Sequence, residues 1–475
     1  MKIKTSAIVY GIRYIRRFGL RTLIIRIIEK KREKDSEYQS FYLETKASLE
    51  QLEKQRMEVS HWNKKEKISI VTPLYHTPAI FLRELIESVL ESSYENWQLC
   101  FADATQDGDE NQIENIVKEY QKMDEKLTGK KSRICYKKLS QNYGIAENTN
   151  QALAMAEGDH DDIITPDALY EMALAAKCAK KTGKEANMFY SDEDKVNENR
   201  TAFFEPHFKP DFNQDLLNSN NYITHFLMVS RELLDQVGGI NKEYDGAQDY
   251  DFILRCTELA DNVIHIPKVL YHWRVHERST AAGAGSKDYA IDAGKCAIES
   301  HLQRMGENGK VVVTPYFGFY RIEYGINTEN KTEDYVLFAD QSLKPLNADW
   351  KQILYADCSR KKIGVVGGKI YDRHHRIYEA AFLEKGDWTG AACGENVFSG
   401  LREGYGGYMH RANIQMDCDR VSEKCMLVKK EVLEQIEDYE QQIRTPEFSY
   451  IVCQKAKEMG YRIMYEPEVK MIFKS

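Results

Sequence analysis

Two aspartates in the stretch 159–162, "DHDD", have the spacing of a divalent-metal site. Mg²⁺ or Mn²⁺ at a phosphate site needs only one or two carboxylates, because phosphate oxygens complete its coordination. A lone D-x-D pair is weak evidence, since acidic loops are common and this one leads into the helix start "TPDALYEM". Asp159 and Asp161 are therefore either metal ligands or members of a solvated loop.

The elements that must position this pair alternate between strand and helix patterns. The strand patterns are "KISIVTPLY", "WQLCFADA" and "SRICYKKL", and amphipathic helix patterns separate them. This alternation predicts an α/β fold with a parallel sheet and right-handed crossovers. Ligands of such sheets bind beyond the carboxyl ends of the strands, so the loops 72–76 and 103–107 are candidate binding loops.

Length and composition indicate a large soluble globular protein. The chain has 475 residues, 42% of them hydrophobic and 11% aromatic, which predicts two domains and an extension. Its ten cysteines form no C-x-x-C pair and follow no secretory signal pattern. Zinc sites and disulfide frameworks are therefore not expected, and the cysteines suit a reducing cytosol.

The charge of the chain is strongly asymmetric. Residues 1–34 contain 11 Lys/Arg against two Glu, whereas the whole chain has a net charge of −8. Isoleucines and leucines alternate with these cations, which predicts a basic amphipathic helix at an anionic membrane surface rather than a spanning helix. A helix packed on the protein's own surface is the alternative. The acidic remainder argues against nucleic acid as a partner.

The order of the motifs adds a family resemblance. Strands ending in "VTPLY" and "FADATQD" are followed by "QNYGIAENTNQAL", "DHDD", "YSDEDK", "GAQDYDFILR" and "YHWRVH". Together they resemble the family 2 glycosyltransferases, and within them bacterial enzymes that build O-antigen, rhamnan and other surface polysaccharides. The resemblance spans residues 67–309. It implies the GT-A nucleotide-diphospho-sugar transferase fold, an α/β fold with a Rossmann-like mixed sheet, and a Mg²⁺ or Mn²⁺ cofactor.

The resemblance also implies roles for residues on the donor side. Asp103 matches the aspartate that recognises the base and ribose of the donor, and Pro73 and Tyr75 frame that base. Asp159 and Asp161 match the metal and diphosphate motif. Arg274 and His276 match the closing "HWR-x-H" stretch near the diphosphate, with Arg274 expected in donor binding and His276 at the metal.

On the acceptor side, Asp249 matches the general base that removes a proton from the acceptor hydroxyl. Its alternative role is to cap the helix "YDFILRCTEL", because aspartate is a favoured N-cap residue. Asp192, in "YSDEDK", is read as part of a substrate-facing loop, with a solvated turn as the alternative. Asn221 and His225 are expected to face the acceptor.

The metal motif departs from the family pattern. Family members place a hydrophobic strand of about six residues between a glycine and the aspartates, whereas this chain passes directly from Gly158 to Asp159. The sequence therefore predicts that a central strand buried on both faces is deleted. Either neighbouring residues such as "LAMAEG" fill its place, or the donor site is damaged.

These observations predict four segments. Residues 1–34 form the basic membrane-surface helix, 35–66 a helical linker, 67–315 the GT-A domain, and 316–475 a degenerate partial glycosyltransferase-like module. The predicted protein is a cytoplasmic, metal-dependent inverting transferase at the inner face of the plasma membrane. Its expected partners are a UDP or dTDP sugar, a glycan or lipid-linked acceptor, and polysaccharide-assembly proteins. The alternative is a catalytically impaired glycan-binding or scaffold subunit.

Overall fold

A computed structural model describes residues 14–32, 38–106, 110–155, 163–183, 185–275, 286–326, 332–383 and 396–474. The α-helices, numbered in chain order, are α1 Leu20–Arg32, α2 Tyr38–Thr45, α3 Leu49–Ser60, α4 Ala79–Leu90, α5 Glu110–Thr128, α6 Ile145–Leu153, α7 Ala168–Lys181, α8 Gln214–Ser219, α9 Arg231–Val237, α10 Gln248–Leu259, α11 Ser286–Met305, α12 Trp350–Cys358, α13 Lys430–Leu433, α14 Tyr439–Gln442 and α15 Phe448–Glu458.

The strands are β1 Ile68–Leu74, β2 Trp97–Asp103, β3 Ile134–Lys138, β4 Ile163–Ile164, β5 Met188–Asn197, β6 Phe203–His207, β7 Leu227–Val229, β8 Val263–Val275, β9 Gly309–Val313, β10 Tyr320–Tyr324, β11 Tyr335–Ala339, β12 Leu343–Pro345, β13 Ile363–Tyr371, β14 Ile377–Glu379, β15 Met416–Cys418, β16 Cys425–Lys429 and β17 Arg462–Phe473. The predicted α/β class, with a parallel sheet and a second sheet-rich C-terminal module, is confirmed.

The chain divides into two compact units that are not contiguous in sequence. The central unit comprises residues 34–212 and 223–297, and the terminal unit comprises residues 1–33, 213–222 and 298–475. This division differs from the predicted boundaries in two places. Residues 1–33 cluster with the C-terminal module, and the segment Asn213–Tyr222 leaves the central unit.

An ion network explains why the segment Asn213–Tyr222 belongs to the terminal unit. The buried Asp215 carboxylate lies 2.7 Å from an Arg360 guanidinium nitrogen and 2.8 Å from one of Arg462. Arg462 also contacts Asp417 at 2.6 Å. Burial alone would raise the pKa of Asp215, but the two guanidinium groups hold it below its usual value.

The first sheet of the central unit contains β1, β2 and β3, parallel and in that order. Helices α4 and α5 are the crossovers between these strands, as the sequence predicts. Because the three strands are parallel, they end together at one carboxyl edge. Helix α3 precedes them and begins with a capping box, in which the Ser48 hydroxyl accepts from the Gln51 backbone and the Gln51 side chain accepts from the Ser48 backbone.

The second sheet of the central unit is mixed, with β4, β8, β5 and β6 in order and β7 paired with β5. Strands β5 and β8 are parallel, while β4, β6 and β7 are antiparallel to their neighbours. Side chains from both sheets share one apolar core, which includes Ile70 and Phe101 from the first sheet and Phe189 and Tyr271 from the second. The core therefore fixes the two sheets of this unit against each other.

Among the described strands, none occupies the place expected for the strand that was predicted to be missing. Here β1 is an edge strand, since β2 is its only ladder partner in the described residues. Leu153 and the two residues after it do not fill this place, because α6 remains helical through Leu153 and the Met155 N–H continues to the Ala152 carbonyl. That part of the "LAMAEG" alternative is wrong; residues 156–158 lie outside the described residues.

The terminal unit repeats the order of elements in the second sheet of the central unit. Strands β13 and β17 are parallel like β5 and β8, β16 is antiparallel to β13 as β7 is to β5, and β12 is antiparallel to β17 as β4 is to β8. Helix α15 begins at Phe448 and α10 at Gln248, 200 residues earlier. This agreement supports the interpretation of a partial second module.

The same comparison indicates where a further strand of the central unit would lie. In the terminal unit β11 pairs with the outer side of β16 and is followed by Asp340. The counterpart of β16 in the central unit is β7, for which β5 is the ladder partner among the described strands. The place taken by β11 in one unit is thus vacant beside β7 in the described part of the other.

Candidate functional site

The carboxyl edge of the first sheet gathers the predicted base-binding residues. Asp103 ends β2 with a fully buried side chain, and its Oδ1 accepts from the Thr105 backbone N–H at 3.0 Å. Pro73 is buried near the end of β1, and Tyr75 just beyond it is half exposed. The His76 N–H donates to Thr105 Oγ1 at 3.0 Å, which ties the loop after β1 to the loop after β2. The two loops therefore form one surface.

Lys138 and Tyr136 complete this edge and were missed in the sequence analysis. Asp103 Oδ2 accepts from Lys138 Nζ at 3.0 Å and from the Tyr136 hydroxyl at 2.8 Å. Lys138 is the last residue of β3, directly opposite Asp103 in the parallel register. The register of three parallel strands would have identified this cation. We call Asp103, Thr105, Tyr136 and Lys138 the edge cluster.

The loop after β3 runs from the edge cluster to the residues that precede α10. The Leu139 N–H donates to the Asp103 carbonyl at 2.8 Å, and the chain then runs to Gly144 at the start of α6. A Cβ placed on Gly144 would lie 3.5 Å from an Asp245 carboxylate oxygen. The "QNYG" motif thus lies against the residues that lead to Asp249.

Asp249 is the second residue of α10 and is half-buried. Ala247 occupies the N-cap position, so the alternative that Asp249 caps this helix is wrong. Asp251, two residues on, is buried and accepts from Arg255 Nε at 2.9 Å. Residues two apart on a helix point in different directions, and the Asp251 carboxylate is paired with Arg255 of the same helix.

The "YSDEDK" segment is a buried strand, which contradicts both the substrate-facing loop and the solvated turn. Asp192 is 4% exposed, and its Oδ1 lies 2.8 Å from His265 Nε2 and accepts from the Lys209 N–H at 2.8 Å. Burial of the His265 ring would lower its pKa, but the hydrogen bonds to Asp192 and Asp211 outweigh burial and raise it. The assignment of Asp192 to the acceptor is therefore not supported by its surroundings.

Asp194 anchors the segment that was predicted to be a linker. Its Oδ2 accepts from the Tyr38 hydroxyl at 2.7 Å, and its Oδ1 lies 2.5 Å from His272 Nδ1. The Tyr42 hydroxyl lies 2.8 Å from Nε2 of the same ring. Helix α2 is therefore packed into the central unit by two buried tyrosines, and His272 has a structural role.

Arg274 is also committed to an internal ion pair. Its side chain is fully buried, with a guanidinium nitrogen 2.6 Å from Glu84 Oε2 and a donated hydrogen bond to the Glu198 carbonyl at 2.8 Å. Phe81 lies beneath the guanidinium at 4.4 Å. This ion pair joins β8 to α4, and the donor-binding role of Arg274 remains a prediction.

His225, which was predicted to face the acceptor, has a partly exposed side chain. Its side chain is 24% exposed, its ring stacks on Tyr271 at 4.9 Å, and its Nδ1 lies 3.4 Å from Glu193. Glu193 in turn contacts Lys209 Nζ at 3.1 Å. Asn221 is half-buried and lies in the segment Asn213–Tyr222 of the terminal unit.

The predicted metal ligands Asp159, Asp161 and His276 lie outside the described residues. Within the described ranges, no group of three or more His, Cys, Asp or Glu residues is arranged to hold an ion. The structure therefore leaves the metal assignment as a prediction. The chain returns to the described part at Ile163, which pairs with His272 across β4 and β8.

In the described residues of the terminal unit, the position equivalent to Asp249 carries a serine. Ser449 is the second residue of α15, where α10 has Asp249, and its hydroxyl accepts from Arg420 at 3.1 Å. Asp340, which follows β11, accepts from the Ser342 N–H at 2.7 Å and so forms a local turn. Neither residue supplies a carboxylate base to the terminal unit.

Known proteins resemble this chain in sequence. The family described as "Glycosyl transferase family 2" matches residues 69–238. The uncharacterized protein y4gI of Sinorhizobium fredii is 27% identical over 490 residues, which cover 84% of this chain and 52% of that protein. The O-antigen biosynthesis protein RfbC of Myxococcus xanthus is 33% identical over 291 residues, which cover 60% of this chain and 22% of that protein. The chain spans about half the length of the first relative and less of the second.

Two solved structures show a partial likeness to this chain. S. aureus TarS aligns with a TM-score of 0.37 at 17% identity, over 50% of this chain and 40% of that chain. The mannosyltransferase PcManGT from Pyrobaculum calidifontis, in complex with GDP-Man and Mn²⁺, aligns with a TM-score of 0.34 at 15% identity, over 54% and 81%. These scores are too low to bear on the function. The match to the family itself shows that this chain contains a glycosyl transferase family 2 domain, over residues 69–238.

Proposed function

We propose that the protein is an inverting glycosyltransferase that moves a sugar from a UDP or dTDP donor to a surface-polysaccharide acceptor. The observation that supports this proposal is the loop that leads from the surroundings of one carboxylate, Asp103, to those of a second, Asp249. Asp103 ends a central strand at the edge cluster, and the loop after β3 leads from there to the residues before Asp249. The loop therefore links the strand edge that holds Asp103, to which we assign donor recognition, to the residues that precede Asp249, to which we assign the role of general base.

The chemistry assigns these residues separate tasks. Inverting transfer passes through an oxocarbenium-like state, with a carboxylate base on one face of the sugar and the leaving group on the other. Asp249 takes the proton of the acceptor hydroxyl as that oxygen attacks the anomeric carbon. Asp103 orients the base and ribose, and Lys138 holds Asp103 in the required position. When bound, Mg²⁺ or Mn²⁺ supplies positive charge to the departing diphosphate, and Asp159, Asp161 and His276 are its proposed ligands.

Nucleotide binding at the edge cluster is tested by Asp103→Asn. The neutral side chain loses a charge-assisted hydrogen bond, so we expect the affinity for UDP or dTDP to fall about tenfold in calorimetry. Asp124→Asn is the matched control, because both carboxylates are fully buried and each contacts one cation. Equal affinity in the native protein and Asp103→Asn would remove Asp103 from the donor site.

The vacant strand position leads us to propose weak turnover in the chain as it stands. An edge strand lacks one row of backbone partners and the apolar side chains that a central strand would bury. Inserting Glu-Tyr-Ile-Ala-Leu-Leu after Gly158 is therefore expected to raise both the melting temperature and Mn²⁺-dependent donor hydrolysis. Fast turnover by the native chain, together with destabilisation by the insertion, would show that no strand is missing.

A second candidate function rests on the terminal unit. Because Ser449 replaces the base in this module, we propose that the terminal unit binds acceptor glycan or holds a polysaccharide-assembly partner. If the vacant strand abolishes donor binding, the whole chain has this role beside an active relative. Glycan binding without any nucleotide binding is the result that distinguishes it from a transferase.

We further propose a lipid-linked acceptor and peripheral association with the inner face of the plasma membrane. The basic segment 1–34 supports this proposal, since its excess of cations suits anionic lipid. In the described ranges no helix has the length and apolarity needed to cross a bilayer.

A further inference from the structure

Helix α1 contacts the rest of the terminal unit through the side that carries Ile25 and Arg26. The Arg26 guanidinium lies 5.3 Å from the centre of the Tyr316 ring and donates to His410 Nε2. Tyr316 and His410 are stacked at 4.1 Å, so Arg26 meets a rigid aromatic pair. Ile25 lies against Gly404, where an added Cβ would be 2.9 Å from its Cδ1. These contacts fix which way the helix faces.

The opposite side of α1 is apolar and exposed. Leu20 is 58% exposed, Ile24 48% and Ile27 50%. At about 100° per residue these three side chains lie within a sector of roughly 60°, while Ile25 and Arg26 are centred about 180° away. An amphipathic helix on a protein surface normally buries its apolar stripe, whereas this one presents it outward.

Cations surround the exposed stripe. Arg16, Arg17 and Arg21 are exposed, and the Arg21 side chain keeps 77% of its accessible surface although it lies 3.8 Å from Glu403. Residues 1–34 carry 11 Lys/Arg against two Glu. An apolar stripe flanked by arginines suits the boundary between anionic headgroups and acyl chains, where both components are stabilised.

We propose that the stripe of Leu20, Ile24 and Ile27 is the membrane-docking face of the protein and that its partner is an anionic lipid bilayer. This inference rests on the peripheral association proposed above, and adds the residues that enter the bilayer and those that hold the helix to the protein. Arg26 and Ile25 act as the attachment, so the terminal unit and the helix meet the bilayer as one body.

Vesicle sedimentation tests this face. The full chain is mixed with vesicles of phosphatidylcholine alone or with added phosphatidylglycerol, and the native protein is expected to sediment only with the latter, less as salt rises. The double variant Ile24→Asp, Ile27→Asp should lose about tenfold or more of this partitioning, because it places two charges in the apolar stripe.

Leu49→Asp with Met57→Asp is the matched control, since these residues are 80% and 59% exposed on α3. The control should bind vesicles like the native chain, and all three proteins should melt at similar temperatures. Unchanged binding by the Ile24→Asp, Ile27→Asp variant would overturn the proposal. The proposal would also be overturned if the native protein did not bind anionic vesicles but formed a dimer, and if this variant were monomeric. A second copy of the chain would then cover the stripe. Donor hydrolysis, measured without vesicles, is expected to be equal in all three proteins, so failure of docking and failure of transferase activity are separately visible.

Discussion

Replacing Asp249 by asparagine is expected to lower the rate of sugar transfer by ~10²–10⁴-fold, the usual contribution of a positioned general base. The amide keeps the shape of the side chain but cannot accept the proton of the acceptor hydroxyl. Since Ala247 rather than Asp249 is the N-cap residue of α10, the variant does not change the N-cap of this helix. The melting temperature and the nucleotide affinity should therefore stay close to those of the native protein.

Asp251→Asn is the control on the same helix. Asp251 is buried with Arg255, so its replacement should lower the melting temperature while the folded protein keeps its transfer rate. The two variants are thus expected to separate catalysis from stability. Transfer at the native rate by Asp249→Asn would exclude it as the base.

Replacing Lys209 by methionine is expected to cost about 3–5 kcal/mol of folding free energy, because it leaves the buried Glu193 carboxylate without its closest cation. Lys209 Nζ lies 3.1 Å from Glu193 and donates to the Ile223 carbonyl at 2.7 Å, with no side-chain exposure. At roughly 2–4 °C per kcal/mol the melting temperature should fall by about 10 °C. Lys54→Met, which breaks the exposed pair with Glu50, should change it by little.

The pH dependence of this loss has a definite sign. In the native protein burial alone would raise the pKa of Glu193, but Lys209, His207 and His225 hold it well below its usual value, so the pair stabilises the fold above the unfolded pKa of glutamate. Removing Lys209 takes away the largest cause that lowers this pKa, so the pKa of Glu193 rises relative to the native protein and its carboxylate takes up a proton at a higher pH. The difference in melting temperature between native and variant proteins should therefore narrow as pH falls from 7 to 5.

The double variant Lys209→Met, Glu193→Gln checks the cause of the loss. A neutral glutamine needs no cation and still accepts from the Thr224 hydroxyl and the His225 N–H, so part of the stability should return. A double variant less stable than Lys209→Met would show that packing by the lysine stem, and not the unpaired carboxylate, causes the loss.

The parallel strands and the edge that they form could be predicted because their signals are local. Hydrophobic runs and turn residues predict β1, β2 and β3, and the rule that ligands bind at carboxyl ends selects Asp103. Lys138 was missed because its role depends on register, which is set by the pairing of strands far apart in sequence.

Polar residues on buried strands could not be assigned from sequence. Asp192, Asp194 and Arg274 have the composition of a site, but each is satisfied by a partner from a distant segment, respectively His265, Tyr38 and Glu84. A buried charge is tolerated when it is paired, and such pairing is invisible in a single sequence. For the same reason the packing of α2 was not predicted, and its tyrosines were assigned to a linker.

The unit boundaries differ from the prediction for a related reason. The segment Asn213–Tyr222 lies within the family-like stretch, yet Asp215 binds Arg360 and Arg462 from residues more than a hundred positions away. Contacts between residues so far apart in the sequence leave no local pattern from which they could be predicted. The order of elements in the terminal unit became clear only from the pairing of its strands.

The most direct test of the account is Mn²⁺-dependent release of nucleotide from a panel of UDP and dTDP sugars, measured for the native chain, the chain with the six-residue insertion after Gly158, and Asp249→Asn. We expect slow release of nucleotide by the native chain with an acceptor glycan present, faster release after the insertion, none with chelator, and a loss of ~10²-fold or more in Asp249→Asn. Absence of both nucleotide binding and release in the native and insertion chains, with every donor, would contradict the proposal that this protein is a glycosyltransferase.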